Sequence, residues 1–366
     1  MAGLLRVVLD CRMASWTGVG RYATGLARAL ARSSEIDLIQ VTAAGQQPPA
    51  PGSTSVAASK HPFSVEGGFE LAGIVRGVSA DLTHCTHFPT PLPAPHPLVV
   101  TMHDVTPLVV PGIMPSLLKR IAYRWWNRRA VRTADHIITD AAFTIGEIER
   151  TFPAAAGRVT AIPLGVDDFA SGPLGELREP LASVTKSPYL LSMGSTRPHK
   201  DLPTLLSAFA IVAEKHPKLR LLLVGPGEAG YVASRMAAVP AAIRERVSFT
   251  GHADDDALRT LMAGAAAFAF PSRYEGFGLP PLEAMALGTP AVVAEAASLP
   301  EAVGDGALTF APGDAGALAA QLEALLDDAA LRERMCDAGL ARAREMTWAR
   351  TAEATVAVYR RVAERG

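Results

Sequence analysis

The chain has 366 residues, 49% hydrophobic and 19% charged, and its 35 Lys and Arg against 36 Asp and Glu give a formal net charge of -1. That length predicts two domains, each with its own apolar core. Near-neutral charge excludes a chain-wide nucleic-acid footprint, and no uninterrupted apolar run reaches membrane-spanning length. Cys11, Cys85 and Cys336 stand too far apart for metal-ligand or redox spacing, and the opening MAGLLRVVLDCR lacks a signal-peptide layout. A reduced, cytoplasmic setting is therefore the expectation.

Strand and helix patterns alternate from the start. A strand over Leu5 to Leu9 leads through the glycine loop Gly18-Val-Gly20-Arg-Tyr into a helix from about Val19 to Ala31, then a strand near Leu38 to Val41. The Pro-, Gly- and Ser-rich stretch from Ala43 to Lys60 reads as a loop. His84, His87 and His96 fall in a proline-rich loop without shared metal spacing. Further strands are expected at Leu98 to Met102, Ile137 to Thr139 and Val159 to Ile162. In Val99-Val-Thr-Met-His103-Asp104, the His-Asp pair ends a strand where open α/β sheets place ligands, and Asp104 is expected to orient His103 or a nearby loop. Residues 115–132, PSLLKRIAYRWWNRRAVR, put Arg120, Arg124 and Arg128 on one helical stripe beside Trp125 and Trp126, with no acid. They read either as an ordinary helix with a basic solvent face or as a surface docking on anionic membrane.

The segment 169–188, with Gly172, Pro173, Pro180 and Pro188, reads as a linker. It divides the chain into a domain over 1–168 and a second over 189–346, followed by an amphipathic helix over 347–366. Strands of the second domain are expected near 189–193, 219–224, 247–249, 266–270 and 290–294. Alternation of this kind implies parallel sheets with helices on both faces.

Three motifs in this second run bear on chemistry. Gly194-Ser-Thr-Arg197-Pro-His-Lys200-Asp follows the first strand and precedes a helix over Leu202 to Glu214. The string FPSRYEGFGLPPLEAMALGTPAVV, residues 270–293, places Glu275 and Glu283 around a helix start. Gly276 and Gly278 free the backbone to turn and approach a ligand, Pro280 and Pro281 suit a first helical turn, and Gly288 suits a stop. Amides at a helix start attract anions and hydroxyls, and the two acids are read as acceptors for hydroxyls of a sugar and a ribose. Gly225-Pro-Gly227-Glu-Ala-Gly230 formally fits the dinucleotide fingerprint of dehydrogenases. It fits poorly, because Glu228 would face a pyrophosphate and no acid ends the next strand-like run to bind a ribose. Asp254-Asp-Asp256 reads as a helix start, where acids suit the dipole.

The E-x7-E spacing within EGFGLPPLEAMA resembles the donor-site signature of the family-4 retaining glycosyltransferases. The resemblance covers nearly the whole chain and is strongest from Tyr189 to Pro312. It implies the GT-B fold, two Rossmann-like parallel-sheet α/β domains facing across a cleft, with the last helix crossing back to the first domain. Carried over, contact with the transferred hexose falls to Glu275 and to the backbone of Gly276, Phe277, Gly278 and Leu279, and the ribose hydroxyls fall to Glu283. Gly194, Arg197 and Lys200 would grip the diphosphate, where fixed cations stabilise charge growing on the leaving oxygen. The loop of Gly18 and Gly20 would close over donor and acceptor, and His103 would touch the hexose. One departure is Asp140, where the family commonly has serine. The implied reaction is same-face displacement in which the leaving diphosphate takes the acceptor's proton, with no metal and no cofactor beyond the nucleotide-sugar donor. LDCRMASWTGVGRYATGLARAL and RPHKDLPTLLSAFA look most like the mannosyltransferase-like branch that builds bacterial surface polysaccharides. GDP-mannose is accordingly the expected donor and a saccharide or lipid-linked molecule the acceptor, with 115–132 the candidate contact to the inner face of a membrane. The alternatives are a UDP-sugar-dependent transferase of the same fold and a non-catalytic nucleotide-sugar-binding protein. The second is disfavoured by His103, Arg197, Lys200 and Glu275 occurring together.

Overall fold

The computed structural model describes residues 4–114, 116–179, 181–194, 197–225, 229–237 and 239–364. The chain forms two compact units, one of Met1–Gly165 with Thr347–Gly366 and one of Val166–Met346. In the first, β1 (Leu5–Asp10), β2 (Ile36–Ala43), β3 (Thr54–Ala58), β4 (Leu82–Cys85), β5 (Leu98–Thr101), β6 (His136–Thr139) and β7 (Val159–Ala161) make a seven-stranded sheet in the order β3-β2-β1-β4-β5-β6-β7. In the second, β8 (Tyr189–Met193), β9 (Arg220–Val224), β10 (Val247–Gly251), β11 (Ala267–Phe270), β12 (Ala291–Ala294) and β13 (Leu308–Phe310) make a six-stranded sheet ordered β10-β9-β8-β11-β12-β13. Every strand pairing in both is parallel. Runs such as Leu98-Val-Val and Ala291-Val-Val are buried throughout, as strands covered on both faces require. Chain order reverses between β1 and β4 and again between β8 and β11. Crossovers leave in opposite directions at those two places, which opens a crevice at the carboxyl ends of the strands.

Three strands escape the sequence pattern. β3 lies inside the stretch expected as a loop, at the sheet edge and with most of its side chains at least partly exposed, so the turn residues of 45–53 outweigh its short apolar signal. β4, Leu-Thr-His-Cys, is four residues long and half polar yet fully buried, and it carries His84 into the core rather than leaving it in a loop. β13 has three residues.

The last helix, Trp348–Ala363, belongs to the first unit, and the helix Val19–Leu30 is shaped to receive it. A Cβ on Gly25 would lie 2.0 Å from the Trp348 ring, and one on Gly165 would lie 2.2 Å from the Trp348 nitrogen. Below the tryptophan runs a buried polar chain. Tyr359 Oη meets His84 Nδ1 at 2.5 Å, His84 Nε2 meets Thr101 Oγ1 at 2.8 Å, and Tyr22 Oη meets the same Thr101 oxygen at 2.7 Å. Burial, aided by the nearby charge of His103, lowers the His84 pKa to about 3, so this histidine is neutral and its two nitrogens serve as one donor and one acceptor.

Residues 166–188 belong to the second unit instead of standing between the two as a linker. Phe169 is buried under the Arg259 guanidinium, 5.2 Å from the ring centroid. Arg259 Nε donates to the Pro173 carbonyl at 2.7 Å, and the Gly175 amide donates to the Asp256 carbonyl at 3.1 Å. Gly172 and Gly175, which read as linker residues, let the backbone lie against Arg259 and Asp256 with no room for a Cβ. Pro180 lies outside the described residues.

Two helix glycines separate packing from propensity. Gly73 sits exposed in the helix Val65–Gly77 with nothing near its missing Cβ. Gly73→Ala is expected to stabilise the first unit by about 0.5–1 kcal/mol through helix propensity. Gly25→Ala is expected to cost about 1–3 kcal/mol through overpacking against Trp348. Urea unfolding of the two variants, followed by far-UV circular dichroism, checks the opposite signs.

Candidate active site

In the second unit, two loops meet at the β8/β11 switch point. β8 ends at Met193 and is followed by Gly194, whose φ of 75 favours glycine and whose Cβ would lie 3.1 Å from Lys200 Cε. Ser195 and Thr196 lie outside the described residues. Arg197 is exposed, and a short 3-10 turn over Pro198–Lys200 follows it. Asp201, left-handed at φ 50, then opens the helix Leu202–Lys215. The partner loop runs on from β11. Its Arg273 amide donates to the His199 carbonyl at 2.7 Å, and Arg273 Nε donates to Asp201 Oδ2 at 2.7 Å. Lys200 Nζ reaches Glu275 Oε1 at 2.5 Å, and it lies 5.1 Å from the centre of the Phe270 ring at the end of β11. The two paired side chains are 17% and 16% exposed, so their charges are shielded from bulk water on most sides while a ligand can still reach them. Burial, with Lys200 next and Arg197 behind an opposing Glu275, pushes His199 down to about 4 and leaves it neutral.

The helix Leu279–Ala286 starts three residues after Gly276. Pro280 and Pro281 have no N–H, so the donors at this helix start are confined to the amides leading up to Leu279, with the next at Leu282. Gly278 has φ 123, and a Cβ there would come within 2.8 Å of Leu299, so only glycine fits. Ser298 Oγ bridges the carbonyls of Glu275 and Phe277 at 2.9 and 2.8 Å, which fixes the loop's curvature. Phe277 and Glu283 are buried, Glu283 as the fifth residue of the helix. Asp254 caps the helix Asp255–Ala263 by accepting from the Ala257 amide at 2.8 Å. Pro226, Gly227 and Glu228 of the other glycine pattern lie outside the described residues.

In the first unit the strand ends carry a different chemistry. Parallel register pairs Thr101 with Ile138, and two residues further on His103 Nδ1 meets Asp140 Oδ2 at 2.8 Å. His103 Nε2 lies 3.1 Å from the Thr86 carbonyl, and the Tyr22 ring packs edge-on against the imidazole at 4.8 Å. Asp104, expected to orient His103 or a nearby loop, accepts from the Thr106 amide at 2.8 Å and so shapes the next turn. Burial lowers the His103 pKa, but the charge and hydrogen bond of Asp140 outweigh it, with smaller help from Asp104 and the Thr86 carbonyl, and the net shift is upward. His87, 5.9 Å away ring to ring, is pushed well down by burial and by the charge of His103. Gly18 has φ 45 at the helix start, and a Cβ on Gly20 would meet the Ala14 carbonyl at 2.5 Å, which lets the helix tuck onto the preceding turn. That turn is pinned by Arg12. Its Nε and Nη2 bind both carboxylate oxygens of the equally buried Asp10 at 2.8 and 2.7 Å, while Nη1 donates to the Gly67 carbonyl.

Of the residues singled out in the sequence, Gly194, Lys200 and Glu275 come together in the second unit. Arg197, Gly276, Phe277, Gly278, Leu279 and Glu283 lie on the same two loops and the helix they lead into. Gly18, Gly20 and His103 belong to the first. The sequence reading missed the parts played by Tyr22, Thr86 and Asp140; the strand register, once known, is what would have paired Asp140 with His103. The segment 117–133 is a helix, Leu117–Thr133, with Arg120, Arg124 and Arg128 exposed. The two tryptophans divide, because Trp125 is 50% exposed while Trp126 is in the core. Pro115 lies outside the described residues. Among the described residues no helix is long and apolar enough to cross a membrane, and no group of three His, Cys, Asp or Glu is placed to hold a metal.

Comparison with known proteins bears on both units. The family profile described as Glycosyltransferase Family 4 matches residues 16–168, and that of Glycosyl transferases group 1 matches residues 175–342. The O-antigen chain mannosyltransferase B of Escherichia coli is 29% identical over 372 residues, covering 94% of this chain and 96% of that protein. Among solved structures, sucrose-phosphate synthase of Thermosynechococcus elongatus aligns with a TM-score of 0.76 at 21% identity, over 99% of this chain and all of that one. HepE of Anabaena, in complex with UDP and glucose, aligns with a TM-score of 0.71 at 18% identity, over 97% of this chain and 99% of that one. These two likenesses speak to the fold, a two-domain α/β GT-B fold. With both halves matched, the chain is an enzyme of the group 1, family 4 glycosyltransferases.

Proposed function

We propose that this enzyme moves a hexose from a nucleotide sugar to a saccharide or lipid-linked acceptor with retention at the anomeric carbon. The observation that carries the proposal is the Lys200–Glu275 pair, set between Gly194 and the amides leading to Leu279 at the β8/β11 switch point. A leaving diphosphate needs fixed positive charge where its own charge grows, and Lys200, held by Glu275 and the Phe270 ring, is preorganised for that task with Arg197 beside it. Glu275, already paired with an ammonium, is a poor nucleophile and a good acceptor for hexose hydroxyls. That argues for same-face displacement, with the diphosphate taking the acceptor's proton, over a covalent glycosyl-enzyme. Glu283 would accept from the ribose hydroxyls. With a lysine and an arginine available to offset the phosphate charge, the reaction is proposed to need no metal.

Mannose from GDP-mannose is the leading donor, supported by the mannosyltransferase relative from E. coli. The HepE complex with UDP and glucose favours the second reading, a UDP-sugar donor. The proposed setting is the cytoplasm, with the helix Leu117–Thr133 resting on the inner face of an anionic membrane. Leu117, Leu118, Ile121 and Trp125 are exposed on it among five exposed basic residues, Lys119, Arg120, Arg124, Arg128 and Arg132, a combination suited to an interface of acyl chains and phosphate.

Three outcomes are expected. A nucleotide sugar at about 100 times its Kd stabilises the enzyme by roughly 2.7 kcal/mol. In a thermal-shift panel of GDP-, UDP- and ADP-sugars, one base family should give this shift, with GDP-mannose foremost, and Glu283→Ala should abolish it; a shift that survives the substitution places the ribose elsewhere. Assayed in EDTA, the wild type should keep its rate, while Lys200→Ala should lose about 10²–10³ in kcat. A rate that collapses in chelator contradicts metal independence. Finally, the enzyme should co-sediment with phosphatidylglycerol vesicles at low salt and be released by charge reversal at Arg120, Arg124 and Arg128, whereas failure to bind at low salt removes the membrane role.

A further inference from the structure

His103 and Asp140 form a pair that the fold builds with some care and that the expected serine at 140 could not make. Adjacent parallel strands β5 and β6 end in register and bring the two side chains to 2.8 Å, with 13% and 4% of their surfaces exposed. Among the described residues Asp140 Oδ1 is buried with no hydrogen-bond partner, while Oδ2 takes the contact from His103. The helix Ala142–Thr151 begins directly after it, which favours a negative charge at this position. The second imidazole nitrogen faces the Thr86 carbonyl, which can only accept, so Nε2 carries a proton. With a carboxylate on one side and a carbonyl on the other, the ring is satisfied when both nitrogens donate.

We propose that Asp140 is a positioning residue that holds His103 as an imidazolium, so that the first unit offers the reacting sugar a charged donor and not a base. The proposal rests on the reading of His103 as a contact to the transferred hexose. The Nδ1 end stays anchored on Asp140, while the Nε2 end can exchange its 3.1 Å contact with the Thr86 carbonyl for a hexose hydroxyl. An imidazolium cannot accept the acceptor's proton, which agrees with a diphosphate taking it. The groups facing His103 are Asp140 after β6, Asp104 beside it, the Thr86 carbonyl and His87 after β4, and the Tyr22 ring from the helix Val19–Leu30, with His84 acting through its field. Of these, only the two aspartates carry a charge that stabilises the cation. Burial first, and the charge of His103 second, lowers the pKa of both neighbouring histidines.

The raised pKa of His103 fixes the sign of the pH effect. The pair stabilises the fold fully below the unfolded histidine value, about 6.5, and that contribution is lost as pH rises through the elevated folded value. The test uses the whole enzyme with 13C-labelled histidine, the His103 resonance being assigned by its loss in His103→Gln. Asp140→Asn keeps an acceptor of the same reach but removes the charge, and Asp140→Ser removes the charge and shortens the side chain. In the ligand-free protein, the titration midpoint of His103 should fall in both variants. The rate of Asp140→Asn should stay within about threefold of wild type at pH 6 and drop about tenfold or more at pH 8, with Asp140→Glu restoring part of it. An unmoved midpoint overturns the proposal. A midpoint that falls while the rate profile stays put also overturns it, and does so by removing His103 from the reaction while leaving the donor site of the second unit intact.

Discussion

An ammonium and a carboxylate brought together beyond the ends of two parallel strands, Lys200 and Glu275, are what the second unit's proposed chemistry depends on. Strand ends in a doubly wound sheet are fixed by the ladder, but the loops beyond them are not, and a site made of loop residues needs a strap. Here the strap is electrostatic and partly buried. The pair works with the Arg273–Asp201 bond and the Arg273-to-His199 backbone contact to tie the loop after β8 to the loop after β11. In the proposed reaction each partner also limits the other: the lysine would keep the glutamate from acting as a nucleophile, and the glutamate would keep the lysine aimed at the switch point.

The first unit solves a similar problem with a different pair. Strand register delivers His103 to Asp140, and a buried chain from Tyr22 through Thr101 and His84 to Tyr359 locks the surrounding strands to the first and last helices. The last helix therefore does more than cover apolar surface. Its Trp348 fills the space left by Gly25 and Gly165, and its Tyr359 completes the polar chain beneath the histidine. Charge is distributed deliberately among the three histidines. Burial lowers the pKa of His84 and His87, while the Asp140 carboxylate raises that of His103 against its own burial, so identical side chains are pushed in opposite directions.

Much of this was legible in the sequence where the local signal is strong. Strongly apolar strands such as those at 98–101 and 189–193, and helices with clear starts such as Val19–Leu30 and Leu202–Lys215, follow from apolar runs, periodicity and glycine and proline placement. The short strands β3, β4 and β13 were not legible, because three to five residues with polar members carry too little pattern, and burial there is set by the neighbouring strands. Residues 169–188 misled for a physical reason: glycine and proline signal a free linker and a close-packed backbone equally well. Asp104 was the nearer carboxylate to His103 in sequence, yet it shapes the turn at Thr106, and the hydrogen-bond partner of the imidazole came from 37 residues away. Lys200 and Glu275 were each identified, but their pairing across 75 residues was not, since only the adjacency of β8 and β11 creates it.

The most direct test of this account is the electron density of a non-transferable 2-fluoro nucleotide sugar bound to crystals of the enzyme. The account predicts the diphosphate within hydrogen-bonding distance of Lys200 Nζ and the hexose hydroxyls on Glu275 and the amides before Leu279. Donor density seated away from both Lys200 and Glu275 would contradict it.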